Sequence, residues 1–221
     1  MDPRVEMVYT VLPDASRTWY GNVRTMIVGL VGPKGVGKTT IARGLERLGW
    51  IRMSFSEPLK DVVAVAFGWP RGRLDGLTPE DRTWREQPDP FWSSRLGRPF
   101  SPRMALQQVG TDLFRERVHP DFWVVLAERR VAELDSDRDV VFDDVRFPNE
   151  ARAIRNMGGV TIRLSRPDLV VDDRHPSETT WKSMEVDATV VVENDTKDVL
   201  FAVLHEIERI RRTDIRSCNG R

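Results

Sequence analysis

The stretch "GLVGPKGVGKTTIA", Gly29 to Ala42, decides the fold. Just before and into it, Thr25-Met26-Ile27-Val28-Gly29-Leu30-Val31 is short, apolar and rich in β-branched residues, as a strand covered on both faces of a parallel sheet must be. After Lys38, the apolar residues Ile41, Leu45 and Leu48 recur at helical spacing, and Gly49 can end that helix. Between strand and helix lies Gly32-Pro33-Lys34-Gly35-Val36-Gly37-Lys38-Thr39, which matches G-x-x-x-x-G-K-[ST]. The glycines let the main chain curl so that successive N–H groups point at an anion, and the helix N-terminus adds partial positive charge. Lys38 is placed to reach the β- and γ-phosphates, and the hydroxyl of Thr39, followed by Thr40, to ligate magnesium. Gly32, Lys34, Gly35, Gly37, Lys38, Thr39 and Thr40 are therefore the candidate residues for ATP and Mg2+. A glycine-rich turn before an ordinary helix is the plainer alternative, and the strand-then-helix context speaks against it.

The rest of the composition sets bounds. A chain of 221 residues suits one α/β domain with a substantial core and room for an insertion. Lysine plus arginine and aspartate plus glutamate balance at 34 each, so no overall basic field advertises nucleic acid, although a local patch stays open. The single cysteine, Cys218, gives no disulfide framework and no zinc cluster, which fits a reducing cytoplasm. The longest apolar run, Val62 to Trp69, is far too short to span a bilayer, and no secretory leader is recognisable.

Along the chain, residues 1–24 read as a peripheral extension. Ile51 to Phe55 reads as a second strand, and Ser56-Glu57-Pro58 as the start of a helix carrying Leu59, Val62, Val63 and Ala66. From Gly68 to Phe100 prolines, tryptophans and arginines accumulate without a period, the signature of an irregular insertion; its Trp84 and Trp92 read first as packing residues, with binding of a base as the alternative. Ser101-Pro102 opens a helix through about Val118, Asp121 caps another over Phe122 to Leu134, and Ala151 to Met157 is helical. Asp139 to Phe142, Val160 to Leu164 and Ala188 to Val192 are strands, Asp168 to Trp181 is loop-like, and Val199 to Ile210 is the last helix. Strands alternating with helices predict an α/β fold: a mostly parallel sheet with helices on both faces, and ligands beyond the carboxyl ends of the strands. The divisions are an extension over 1–24, the phosphate-loop domain over 25–212, with an insertion near 68–100 and a lid near 166–181, and a tail over 213–221.

Three further stretches carry candidate chemistry. "DVVFDDVRFPNE", Asp139 to Glu150, delivers Asp143 and Asp144 to the end of a strand where magnesium and phosphates would lie, with Arg146 able to clamp a phosphate. In "SPRMALQQVGTDLFRERV", Ser101 to Val118, Arg103, Gln107, Thr111 and Arg115 are spaced by four and share a helix face. The Gln107 amide offers the donor and acceptor that base recognition needs, and Gly110 beside that face suggests close approach of a ligand. "VDDRHPSE", Val171 to Glu178, suits a lid bringing Arg174 over phosphates, while His175 has no second metal-binding partner in view. Trp123 follows the Gln107 helix directly.

Taken in order, the phosphate loop, "SEPLKD" at Ser56 to Asp61, "LQQVGTD" at Leu106 to Asp112, "DFW" at Asp121 to Trp123, "DDVRFPNE" at Asp143 to Glu150, "RHPSE" at Arg174 to Glu178 and "VVVEND" before the last helix resemble the phage-type deoxynucleoside monophosphate kinases known from the T-even phages. The resemblance covers about Met26 to Ile210. It implies the P-loop nucleoside monophosphate kinase fold, with a mobile lid and a substrate-binding arm. It also implies transfer of the γ-phosphoryl group of ATP to a deoxynucleoside 5′-monophosphate, a substrate class that includes dGMP, dTMP and a hydroxymethylated dCMP. By the same resemblance Lys60, Asp61, Gln107, Thr111, Trp123, Asp144, Arg146 and Glu150 fall on motifs lining the monophosphate site. The likeness is weakest across Gly68 to Phe100, and Thr39-Thr40 departs from members that lack a hydroxyl directly after the lysine.

The resulting expectation is a small-molecule kinase. Lys38 holds the donor, Thr39 and Asp144 hold magnesium, and Arg146, Arg115 and Arg174 clamp phosphates. Lys60, Asp61, Arg103, Gln107, Gly110, Thr111, Trp123, Asp144, Arg146 and Glu150 bind the acceptor. A kinase acting on a hydroxymethylated base within DNA, a kinase for another small metabolite and a non-catalytic ATP-binding module are the alternatives, and a homodimer is left open.

Overall fold

The computed structural model describes residues 25–134, 137–167, 169, 180–192 and 196–218. The residue 1–24 extension and most of the lid, Arg174 and His175 among it, lie outside the described residues. Five strands form one parallel sheet: β1 (Ile27–Val31), β2 (Ile51–Met53), β3 (Val140–Val145), β4 (Val160–Ser165) and β5 (Ala188–Val191), in the spatial order β2-β3-β1-β4-β5. The α/β expectation holds. β1 is central, paired with β3 on one side and β4 on the other, and all five of its positions are buried.

Alternation along the strands splits the core. Val28, Leu30, Val141 and Ile162 face the side covered by α1 (Lys38–Arg47) and the last helix, α9 (Thr196–Cys218), whose Val203 and Ile207 are buried there. Ile27, Val140, Phe142 and Val145 face the side covered by α7 (Phe122–Ala132) and α8 (Pro148–Asn156). On that side Phe55 stacks on Phe142 at 4.6 Å. Full burial of side chains of this size stabilises by about 1.5–3 kcal/mol each.

The insertion is not irregular. It holds α3 (Arg71–Leu74), α4 (Pro79–Glu86) and α5 (Pro90–Leu96), following α2 (Glu57–Phe67) and preceding α6 (Pro102–Gln107). A separate cluster of Val63, Trp69, Leu74, Phe100 and Ala105 is its core, with Phe67, Trp84 and Trp92 packed on it. Trp69 stacks on Phe67 at 4.8 Å and meets Trp84 edge-on at 6.1 Å, and its indole N–H donates to Asp89 at 2.9 Å. The tryptophans pack, as expected for them. The insertion is thus an arm whose core, separate from the two sheet-face clusters, is shared with α2 and α6. Short helices built on aromatic contacts show no period, which is why pattern reading passes over them.

Two other expectations shift. The helix expected from Ser101 to Val118 begins as α6, with Ser101 accepting from the Met104 amide, and continues as a π-helix over Gln108–Val118. The last helix runs past Ile210 to Cys218. No helix among the described residues is long and apolar enough to cross a membrane.

Candidate active site

The phosphate loop is shaped by three glycines at positive φ: 145° at Gly32, 85° at Gly35 and 106° at Gly37. L-residues reach such angles only with strain, so the sequence places glycine where the curl needs it. Lys38 starts α1, is buried, and folds over the loop, its Nζ donating to the carbonyls of Gly32 at 2.6 Å and Pro33 at 2.8 Å. Thr39 is half-buried, while Thr40 and Lys34 are exposed. Lys34 pairs with Glu86 at the end of α4, 3.1 Å away.

Asp143 and Asp144 separate because successive strand residues point to opposite faces. Asp143, 7% exposed, lies on the α1 face. Arg52 of β2 donates to it at 2.9 Å, and the Thr39 hydroxyl lies close enough to favour its charged form. Burial, reinforced by repulsion from Asp144, nevertheless raises its pKa against the pull of Arg52, Lys60 and Thr39. Asp144 turns the other way and accepts from Ser54 Oγ at 2.6 Å, the Phe55 amide at 2.9 Å and the Ser56 amide at 3.0 Å. Burial opposes its charge, but the Ser54 and Ser56 contacts, Lys60 and the Phe55 amide outweigh it, and its pKa is held below the usual carboxylate range. The geometry therefore does not favour Asp144 as the magnesium partner of Thr39; the carboxylate beside Thr39 is that of Asp143.

Asp144 instead borders a pocket between the carboxyl end of β3, α2, and α6 with the π-helix that continues it, to which the arm contributes Arg85. That pocket brings together Lys60, Arg103, Gln107, Gly110, Thr111, Arg115, Trp123, Asp144, Arg146 and Glu150, which lie up to 90 residues apart in sequence. Four residues on an α-helix overshoot one turn by about 40°. A π-helix, with its wider i→i+5 bonding, undershoots instead. The α-to-π change near Gln107 turns the drift back, so Arg103, Gln107, Thr111 and Arg115 all keep facing the pocket.

Several pocket residues build the wall. Glu150 is 2% exposed, and its two oxygens are engaged: one by Arg115 at 2.5 Å, the other by the Arg146 and Phe147 amides at 2.7 and 3.1 Å. Burial, then repulsion from Asp144, raises its pKa against the pull of Arg115 and those amides. Arg115 also lies 4.2 Å over the Phe147 ring, so the guanidinium expected to clamp a phosphate is committed to Glu150 and Phe147. Trp123, buried, donates its indole N–H to the Gly110 carbonyl at 2.9 Å and pins the π-helix. A Cβ at Gly110 would lie 2.7 Å from Leu59 Cδ2, so packing against Leu59 favours glycine here, and Gly110 itself lines the pocket.

Asp61 stands apart from these residues. It does not line the pocket; it is 65% exposed and pairs with Arg71 at 2.5 Å. A helical residue next to Lys60 points about 100° away from it. Lys60 itself lines the pocket and pairs with Asp75 of the arm at 3.0 Å.

Arg85 of α4 went unread in the sequence. It lines the pocket near Arg103 and Arg146, donates to the Leu74 carbonyl at 3.0 Å, and its Nε is buried without a hydrogen-bond partner. Burial, Arg103 and Arg146 together pull its pKa down despite Glu86. Cations gathered in a pocket form a receptor for an anion. A signal for α4 was present: Thr78-Pro79-Glu80-Asp81 is a helix start, and Thr78 Oγ1 accepts from the Asp81 amide at 3.1 Å.

A phosphate loop at the end of a parallel sheet, beside a second, arginine-lined pocket, defines a P-loop phosphotransferase. The deoxynucleotide monophosphate kinase family model matches residues 92–202. A candidate deoxynucleotide monophosphate kinase of Acanthamoeba polyphaga mimivirus is 35% identical, over 80% of this chain and 93% of its own length. The deoxynucleoside-5′-monophosphate kinase of Escherichia phage T5 is 31% identical, over 70% of this chain and 84% of its own length. Among solved structures, a gluconokinase from Sinorhizobium meliloti superposes with a TM-score of 0.45 at 14% identity, covering 89% of this chain and 99% of its own. The chain belongs to the deoxynucleotide monophosphate kinase family. It is a nucleotide kinase, and the alternatives of a different metabolite kinase and of a non-catalytic module are set aside.

Proposed function

We propose that the loop holds ATP and the pocket a free deoxynucleoside 5′-monophosphate, and that the γ-phosphoryl group passes from one to the other, giving ADP and a deoxynucleoside diphosphate. The observation that carries this assignment is the end of β3, where Asp143 meets the loop threonine and Asp144 borders the pocket. One strand thereby addresses both sites at once.

Phosphoryl transfer needs positioning and charge stabilisation more than a reactive side chain. The loop amides and Lys38 hold the donor phosphates. Arg85, Arg103 and Arg146 take the acceptor phosphate. Gln107 and Thr111 face the nucleoside, with Phe55, Leu59 and Phe147 as apolar walls. Glu150 and Trp123 act through what they hold, namely Arg115 and the π-helix. The Thr39 hydroxyl and the Asp143 carboxylate are hard oxygen donors that suit Mg2+ with most of its waters retained. When bound there, the ion would neutralise charge on the transferring group.

A coupled ADP-release assay over the four deoxynucleoside monophosphates and their ribose counterparts tests the reading. Magnesium-dependent turnover with at least one deoxynucleotide is expected; ADP release that no monophosphate stimulates would refute it.

A further inference from the structure

Lys34 belongs to the phosphate loop, and its ammonium is 3.1 Å from the carboxylate of Glu86, in a pair that is half exposed on both sides. The two residues are 52 apart in sequence and belong to different elements. Lys34 rides on the loop between β1 and α1. Glu86 is the last residue of α4, which is fastened into the arm: Arg73 lies 4.4 Å over Trp84 and pairs with Asp81 at 3.3 Å, and Trp84 meets Trp69. The residue before Glu86 is Arg85, which lines the acceptor pocket. One end of one short helix therefore carries both a cation for the acceptor and an anion for the donor loop.

We propose that Glu86 is a positioning residue that holds Lys34 away from donor phosphates until an acceptor occupies the pocket. This rests on reading the loop as the donor site. The Lys34 ammonium has two anions to choose between, the Glu86 carboxylate and the triphosphate oxygens, and it cannot give its full charge to both. An acceptor anion drawn in by Arg85, Arg103 and Arg146 shifts the end of α4 and with it Glu86. Lys34 is then released toward the donor. Donor and acceptor affinities are coupled through that release, and each must tighten the other by the same factor. Since the pair is exposed, the coupling is modest, about two- to fivefold.

The test measures binding of a non-hydrolysable ATP analogue by calorimetry, with and without a deoxynucleoside monophosphate, in the full chain, in Glu86→Gln, in Lys34→Met and in the double variant. Glu86→Gln is expected to bind the analogue about two- to fivefold more tightly than the unaltered protein when no acceptor is present, and to lose a matching part of the acceptor's effect. In the Lys34→Met background the Glu86 substitution is expected to change nothing. Unchanged or weaker analogue binding by Glu86→Gln overturns the inference, as does an equal gain in the Lys34→Met background, which would mean that Glu86 acts by another route. If the unaltered protein binds no analogue at all, the donor-site reading falls and takes this inference with it.

Discussion

Asp143 and Asp144 are neighbours on β3, yet one carboxylate meets Arg52 and the environment of Thr39 while the other takes the Ser54 hydroxyl and two amides on the opposite side of the sheet. The pleat alone accomplishes the separation. It also drives their proton affinities apart, Asp143 upward and Asp144 downward, because only Asp144 is surrounded by donors that outweigh its burial. Two carboxylates so divided suit two tasks.

Replacing Lys38 by alanine removes the cation that spans the loop. Losing such a contact costs several kcal/mol of barrier, so turnover should drop at least about a hundredfold. The protein should still unfold cooperatively on heating, which differential scanning calorimetry can check beside the coupled assay.

Arg85→Met should separate function from stability. The catalytic efficiency toward the acceptor should decrease at least about tenfold, since one charged contact to phosphate is worth about 1.5–3 kcal/mol. The KM for ATP should change by no more than the about two- to fivefold coupling carried by Lys34 and Glu86. Relief of crowding with Arg103 and Arg146 offsets the lost bond to Leu74, so the unfolding free energy should move by less than about 1 kcal/mol. Equal effects on both substrates would argue against a role confined to the acceptor.

Asp144→Asn should destabilise the fold by about 2–4 kcal/mol at neutral pH, because three donors lose a charged acceptor. The depressed pKa gives the sign. The stabilisation from Asp144 is fully present above the ordinary aspartate value of about 3.9 and is lost as the pH falls through the lower folded value. Urea unfolding of both proteins at pH 7 and in acid should therefore show the gap between them narrowing below about pH 4. A gap that is constant with pH would contradict the charged state of Asp144.

Gly110→Ala should destabilise despite the better helix propensity of alanine. The new methyl meets Leu59 at 2.7 Å, and overpacking costs about 1–3 kcal/mol against about 1 kcal/mol gained. Since Leu59 lines the pocket, the acceptor KM should rise as well. Adding Leu59→Ala should restore part of the stability; failure of that rescue would place the strain elsewhere.

Much of this architecture is legible from residue patterns, for reasons that also explain what is not. The strands announce themselves because β-branched runs such as Val140-Val141-Phe142 have to be buried on both faces. The face Arg103, Gln107, Thr111 and Arg115 share is legible because side-chain direction follows spacing, but the switch to π bonding inside it leaves no mark on that spacing. That Asp61 faces Arg71 while its neighbour Lys60 lines the pocket is not legible, because a motif gives adjacency and not direction. Arg85 was missed because α4 owes its position to Trp69, Trp84 and Arg73, contacts between residues that share no period. The orientation of Asp143 and Asp144 follows from alternation, but which of them reaches Thr39 depends on where α1 sits, and that is a property of the assembled sheet.

The separate aromatic core of the arm has one more consequence. Because Trp69, Phe100 and their neighbours sustain that region without borrowing side chains from either face of the sheet, its surface can drift in evolution while the machinery that spends the triphosphate stays untouched. Substitutions on the outer surface of this module should accordingly leave the transfer chemistry intact, whereas base preference should follow Gln107 and Thr111, which lie outside it.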